Sequence, residues 1–176
     1  MKKELKLIIE EDKIKKRVQE LGKEISETYK NLSHPLICVC ILKGAVIFFS
    51  DLIRELNIDV EVDFVRLSSY RDGTSPDEKL LFTKDMEISV KDRHVLIIED
   101  IVDTGATISY LKKVLEARGP IDVKVCSLIH KVERRKKEVE IDFYGFKIEK
   151  GFLVGYGLDC AEKYRNLKGI YELITD

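Results

Sequence analysis

The sequence predicts an α/β fold in which a mostly parallel central sheet, flanked by helices, carries a small strand-rich hood. Three observations predict it. Strand-length and helix-length apolar patterns alternate from Glu11 to Ile129. Two of the strands, Leu36–Leu42 and Val95–Ile98, are unbroken apolar runs, the pattern of strands covered on both faces. Past Ile129 the helical periodicity stops and mostly short strand patterns follow.

Each element has its own justification. Ile14, Val18, Leu21, Ile25 and Tyr29 recur at spacings of three and four, which predicts a helix over Glu11–Lys30 with Gly22 weakening its middle. Ser33-His34-Pro35 breaks the chain before the strand LICVCIL, and Lys43-Gly44 ends that strand. Val46, Phe49, Ile53 and Leu56 mark a helix over Ala45–Leu56. Val60–Leu67 alternates in part, as a strand with one wetter face does. Ser68–Lys79, SSYRDGTSPDEK, is polar and rich in turn formers, and is predicted to be a mobile loop. Leu80–Thr83 is a short strand, and Asp92-Arg93 leads into Val95–Ile98. The helix after Thr107 carries Ile108, Leu111, Val114 and Leu115 and stops at Gly119-Pro120. Val123–Ile129 is a strand, and Glu133–Glu138 a solvated turn. Ile141–Phe143, Phe152–Tyr156 and Ile170–Leu173 are the late strands.

A chain of 176 residues reads as one domain with a substantial core. Lys and Arg number 31 against 32 Asp and Glu, so no polycation is present and nucleic-acid binding gains no support. Cys38, Cys40, Cys126 and Cys160 match neither a zinc spacing nor a disulfide framework, and read as buried free thiols of a reducing cytoplasm. The start, MKKELKLIIEEDK, has no signal-peptide core, and no apolar run is long enough to span a membrane. A cytoplasmic protein is expected.

The chemistry concentrates in Val95–Leu111, VLIIEDIVDTGATISYL. An apolar strand ends in Glu99 and Asp100, then Asp103, Thr104, Gly105, Ala106 and Thr107 lead into a helix. Such a loop and helix N-terminus can hold a phosphate on unpaired N–H groups, helped by the Thr104 and Thr107 hydroxyls. Carboxylates at this strand end face the ligand crevice of an open α/β sheet, where a metal-chelated polyol or diphosphate needs them. If the strand continues, Glu99 and Asp100 point to opposite sides, and a solvated pair closing a strand is the plainer alternative. Asp103 either caps the helix or exchanges a proton with a substrate atom. Neither the Walker A nor the dinucleotide glycine pattern is present. Lys43-Gly44 is a second strand-to-helix corner whose amides suit an oxyanion. Lys131 ends a strand, either as a donor to a ligand oxygen or as a snorkelling surface lysine. Phe152 is either core or a face on which a base stacks. Asp159 and Arg165 flank a short helical turn and suggest a salt bridge. His34, His94 and His130 show no ligand spacing and no triad.

Glu99–Thr107, EDIVDTGAT, resembles the phosphoribosyl-diphosphate (PRPP) signature of type I phosphoribosyltransferases. Leu42-Lys43-Gly44, Ser68-Ser69-Tyr70, Lys131, Gly151–Asp159 and Arg165 extend the resemblance over nearly the whole chain, toward the hypoxanthine-guanine branch. The resemblance implies a single domain over 1–176, a hood built from the N-terminal and C-terminal segments, and a lid at about 68–79. It implies that a 6-oxopurine, hypoxanthine or guanine, and PRPP give the nucleoside 5′-monophosphate and diphosphate, with Mg2+ as cofactor. Glu99 and Asp100 then sit at the ribose hydroxyls near one metal, Asp103–Thr107 cradle the 5′-phosphate, and Asp103 near N7 is the general base. Lys131 meets the 6-oxo group, Phe152 stacks on the purine and the Leu153 backbone reads its 2-position edge. Asp159 ligates a second metal, and Arg165 with the Lys43-Gly44 corner meets the diphosphate. Ser69 and Tyr70 are the lid contacts with PRPP. Ala106 carries only backbone, because its position varies among relatives. The bond before that lysine or glycine is cis in some relatives, and a homodimer or homotetramer is implied. The rival from another class is a repressor that keeps the PRPP site and acts on nucleic acid. The charge balance and the lack of an added domain argue against it.

Overall fold

The apolar run from Leu36 becomes a central strand because it can be covered on both faces. The computed structural model of the chain describes residues 3–70, 79–133 and 137–175. The elements are β1 (Lys3–Ile9), α1 (Glu11–Thr28), β2 (Leu36–Ile41), α2 (Val46–Glu55), β3 (Val60–Tyr70), β4 (Lys79–Lys84), β5 (His94–Val102), α3 (Ala106–Glu116), β6 (Asp122–Lys131), β7 (Phe143–Ile148), β8 (Leu153–Val154) and β9 (Ile170–Thr175). A six-stranded sheet has the order β4-β3-β2-β5-β6-β7, parallel throughout except for the antiparallel pair β3–β4. Every residue of β2 is buried. Its alternate side chains feed two cores. Leu36, Cys38 and Cys40 pack with Ile14, Val18 and Phe48 of α1 and α2, while Ile37, Val39 and Ile41 pack with Ile108, Leu111 and Leu115 of α3. The result is a layer of two helices, a sheet, and a layer of one helix.

The strand-rich hood is a separate antiparallel sheet, β1-β9-β8. It pairs the first strand of the chain with the last, from Lys3↔Thr175 to Ile9↔Ile170. The apolar reading of the first residues missed β1, because Lys3, Glu4 and Lys6 surround Leu5, and Leu5 and Leu7 remain exposed. The alternation itself was the available signal.

Several predicted boundaries move. β3 and β4 run into both ends of the predicted loop Ser68–Lys79, and its centre, 71–78, lies outside the described residues. The centre of the predicted turn Glu133–Glu138, 134–136, lies outside them as well. The strand predicted at Ile141–Phe143 starts at Phe143, because Asp142 bonds Val125 with its own N–H and accepts the Val125 N–H on its carboxylate. In the stretch Phe152–Tyr156 the strand proper covers Leu153–Val154, and Gly155 forms an isolated bridge with Leu158. Gly22 does not merely weaken α1; a Cβ there would stand 2.6 Å from Cβ of Glu55, so the glycine permits the close approach of α2. Cys38, Cys40 and Cys126 are buried and free, Cys160 is free and half-buried, and burial pushes the Cys38 and Cys40 thiols up to about 12. Among the described residues no helix is long and apolar enough to cross a membrane.

Candidate active site

Parallel strands deliver their C-terminal ends to one edge of the sheet, and there β2 stops before β5 does. Pairing between them ends at Cys40↔Ile98, and the chain leaves through the cis peptide Leu42-Lys43. β5 runs on to Val102 while paired only with β6. Its free flank is met by the Lys43-Gly44 corner. A Cβ on Gly44 would stand 2.8 Å from Cγ of Asp100, with a carboxylate oxygen nearer still, so only a glycine lets the corner close on that carboxylate.

Glu99 and Asp100 do lie in a continuing strand, yet both border one cavity of about 470 Å³. The expectation that a continuing strand separates them fails because each carboxylate curls back along its own chain on the unpaired flank. The Asp100 N–H donates to Glu99 Oε1 at 3.0 Å and the Ile101 N–H donates to Asp100 Oδ1 at 2.8 Å. Both residues are only 8 % exposed, which overturns the solvated-pair alternative. Burial, and then the Asp100 charge, push the Glu99 carboxyl well above the usual carboxylate range, and burial raises Asp100 as well. A carboxyl raised in the folded state binds more protons there than in the unfolded chain. The penalty is therefore absent below the ordinary carboxylate pKa and grows as pH rises above it. Glu99→Gln is expected to stabilise the protein in chelator by about 0.5–2 kcal/mol at pH 8 and by less at pH 5. Thermal melts at the two pH values check this, and equal shifts would count against it.

The loop after β5 ends on Gly105, which takes φ +80° as the N-terminal cap of α3, a conformation costly for residues with a Cβ. As a glycine, the cap residue offers α3 no side chain, and no acidic residue sits in the helix's first turn. The Ala106 N–H reaches Thr104 Oγ1 at 3.3 Å. Gly105, Thr104 and Thr107 border a recess of about 110 Å³ that shares Glu99 with the main cavity. Unpaired N–H groups, the positive helix end and two hydroxyls suit a phosphate.

Asp103 is not a cap, since Gly105 holds that position. Its Oδ1 is buried and has no hydrogen-bond partner among the described residues, and its Oδ2 lies 3.8 Å from Lys131 Nζ. Lys131 is only 5 % exposed, which overturns the snorkelling alternative, and its Nζ also lies 3.9 Å from Glu133 Oε2. Asp103 and Lys131 border a second cavity of about 630 Å³, which shares Asp100 and Asp159 with the first. Phe152 and Leu153 line its far side; Phe152 is 52 % exposed at the rim and is not a core residue.

Asp159 and Arg165 close the first cavity and form the expected salt bridge at 2.8 Å. The segment between them is no helical turn. Cys160 pairs with Lys163 around Ala161 (φ +52°) and Glu162 (φ +64°), both left-handed, as in a type I′ turn. Arg165 also donates to the Gly157 carbonyl at 2.7 Å. Lys43 reaches across to Glu162 at 3.0 Å. Ser69 and Tyr70 end β3 opposite Leu80 and Lys79, and their side chains lie outside the described residues. Sequence reasoning missed Glu162, Glu133 and Glu172, which have no motif of their own and reach the site only through the fold. A further recess of about 290 Å³ between α1 and α2 shares no lining residue with the cleft.

The sequence model of the phosphoribosyl transferase domain matches residues 7–161. The hypoxanthine phosphoribosyltransferase of Escherichia coli is 39% identical over 99% of this chain and 98% of its own. The hypoxanthine-guanine phosphoribosyltransferase of Bacillus subtilis is 42% identical over 92% of this chain and 89% of its own. A crystal structure of a hypoxanthine-guanine phosphoribosyltransferase from Bacillus anthracis superposes with a TM-score of 0.90 at 37% identity, covering 97% of this chain and 100% of that one.

Proposed function

The chain belongs to the phosphoribosyl transferase family, and we propose that its cleft is where the 5-phosphoribosyl group of PRPP passes to N9 of a 6-oxopurine. The enzyme serves purine salvage, giving IMP from hypoxanthine or GMP from guanine, plus diphosphate. One observation carries the site assignment. A glycine-capped helix N-terminus, a buried carboxylate pair and the Asp103–Lys131 pair all border neighbouring cavities at the strand ends that share lining residues.

In this reading the amides of Asp103–Thr107 and the Thr104 and Thr107 hydroxyls hold the 5′-phosphate. Glu99 and Asp100 accept hydrogen bonds from the ribose 2′- and 3′-hydroxyls. Lys131 donates to the 6-oxo group; an ammonium has no acceptor, so a 6-amino group in its place is disfavoured. Phe152 stacks on the purine from the rim and the Leu153 backbone meets the 2-position edge. Asp103 takes the purine proton at N7 as N9 forms its bond to the anomeric carbon. Lys43, the Gly44 amide and Arg165 face the departing diphosphate, whose charge grows in the transition state. The same carboxylates suit Mg2+. Among the described residues no three metal-binding side chains gather, which fits an ion that keeps its waters and takes one or two carboxylates plus substrate phosphate oxygens. Glu99 and Asp100 would hold one such ion and Asp159 a second, and a cation beside the buried pair would favour its ionised form, against the upward push of burial. When bound, Mg2+ supplies charge stabilisation for the leaving diphosphate. The free thiols support a cytoplasmic setting.

A panel of bases with PRPP and magnesium, followed by product nucleotide, tests the assignment. Hypoxanthine and guanine are expected to turn over and adenine to fail by at least about 10²-fold, because an ammonium and an amino group are both donors and neither accepts from the other. Adenine turnover comparable to hypoxanthine would remove Lys131 from the base site.

A further inference from the structure

Resting on the diphosphate reading of the cleft, we propose that Glu162 is a built-in counter-anion: in the ligand-free enzyme its carboxylate bridges Lys43 and Arg165, and the incoming diphosphate must displace it. One oxygen, Oε2, lies 3.0 Å from Lys43 Nζ and 3.4 Å from Arg165 Nη2. Among the described residues these are the two cations that face the cavity bordered by Gly44, Asp100 and Asp159.

The turn that presents Glu162 is built for the task. Ala161 and Glu162 both sit at positive φ without being glycine, an arrangement that persists only where the surroundings enforce it. Three sets of hydrogen bonds enforce it here. The Glu162 N–H donates to Asp159 Oδ2 at 2.8 Å, Cys160 and Lys163 exchange backbone hydrogen bonds at 3.1 Å, and Arg165 is tied to the Gly157 carbonyl at 2.7 Å. The backbone of Glu162 is thus held against the very residues that border the site, while its side chain is 63% exposed and free to swing out. A carboxylate so placed does two things. It keeps Lys43 and Arg165 extended over the cavity before substrate arrives, and it competes with the diphosphate for both. The competition lowers affinity for PRPP and for product diphosphate alike, which favours release. Exposed ion pairs are weak, so the effect is a tuning of affinity.

Calorimetric titration of magnesium diphosphate into the whole enzyme and into Glu162→Gln tests this. The variant is expected to bind roughly two- to five-fold tighter, and its KM for PRPP to fall by a similar factor, since one weak exposed pair is being released. The KM for hypoxanthine is expected not to move, because Glu162 borders no part of the base cavity. Glu162→Ala is expected to do the same, its neighbour Ala161 showing that alanine occupies this left-handed turn. Unchanged or weaker diphosphate binding in both variants, with the unsubstituted enzyme binding normally, overturns the counter-anion role alone. No uptake by the unsubstituted enzyme would instead overturn the reading of the cleft.

Discussion

Asp103→Asn is expected to lower kcat by about 10²–10⁴-fold, the usual worth of a positioned general base, while changing the Kd for PRPP by less than about five-fold. The asymmetry follows from geometry. In the proposed phosphate recess the donors are the backbone amides of Asp103–Thr107 and the Thr104 and Thr107 hydroxyls, which an asparagine at 103 leaves in place. Asp103 borders both that recess and the base cavity, with one buried side-chain oxygen lacking a hydrogen-bond partner among the described residues and the other 3.8 Å from Lys131. An amide keeps the shape but cannot take up a proton. The reverse reaction, nucleotide plus diphosphate, passes through the same transition state and should fall by the same factor. Single-turnover rates in both directions and calorimetry with PRPP check the prediction. A near-normal rate would strip Asp103 of its proton-handling role and leave Lys131 as the group that matters there.

The parts of this site that could be read from sequence are those whose chemistry is local. EDIVDTGAT gives a strand end, acids and small residues in order, and all three survive in β5, the Gly105 cap and α3. The six-residue burial of β2 was equally legible, since an unbroken apolar run has no other stable place. What failed depended on neighbours distant in sequence. Glu99 and Asp100 share a cavity because β2 leaves the sheet at the cis Leu42-Lys43 corner, and periodicity knows nothing of the adjacent strand. Lys131 is buried because Asp103 and the hood close over the end of β6. The turn at Ala161-Glu162 defeats propensity altogether, because neither residue type announces a left-handed backbone. Glu162 was therefore passed over although it lies between Asp159 and Arg165, two residues already singled out.

Gly44→Ala is expected to cut kcat/KM for PRPP by about 10²-fold or more, although it adds one methyl group at a position that is not left-handed. The new Cβ has nowhere to go. On one side stands Asp100, with Cγ 2.8 Å away and an oxygen closer. On the other, the backbone of Gly157 abuts the Gly44 carbonyl so tightly that a Cβ on Gly157 would overlap it, so the corner cannot recede. Asp100 must therefore turn, giving up its bond to the Ile101 N–H and its place over the cavity. Displacement of about 1 Å at a positioned group is enough for a loss of this size. If the damage is all collision with Asp100, removing that carboxylate must absorb it. The double variant Gly44→Ala with Asp100→Ala should then be no slower than Asp100→Ala alone, and should melt higher than Gly44→Ala alone, whose overpacking costs about 1–3 kcal/mol. Losses that multiply in the double variant would show that Gly44 acts through something other than the fit of its backbone against Asp100.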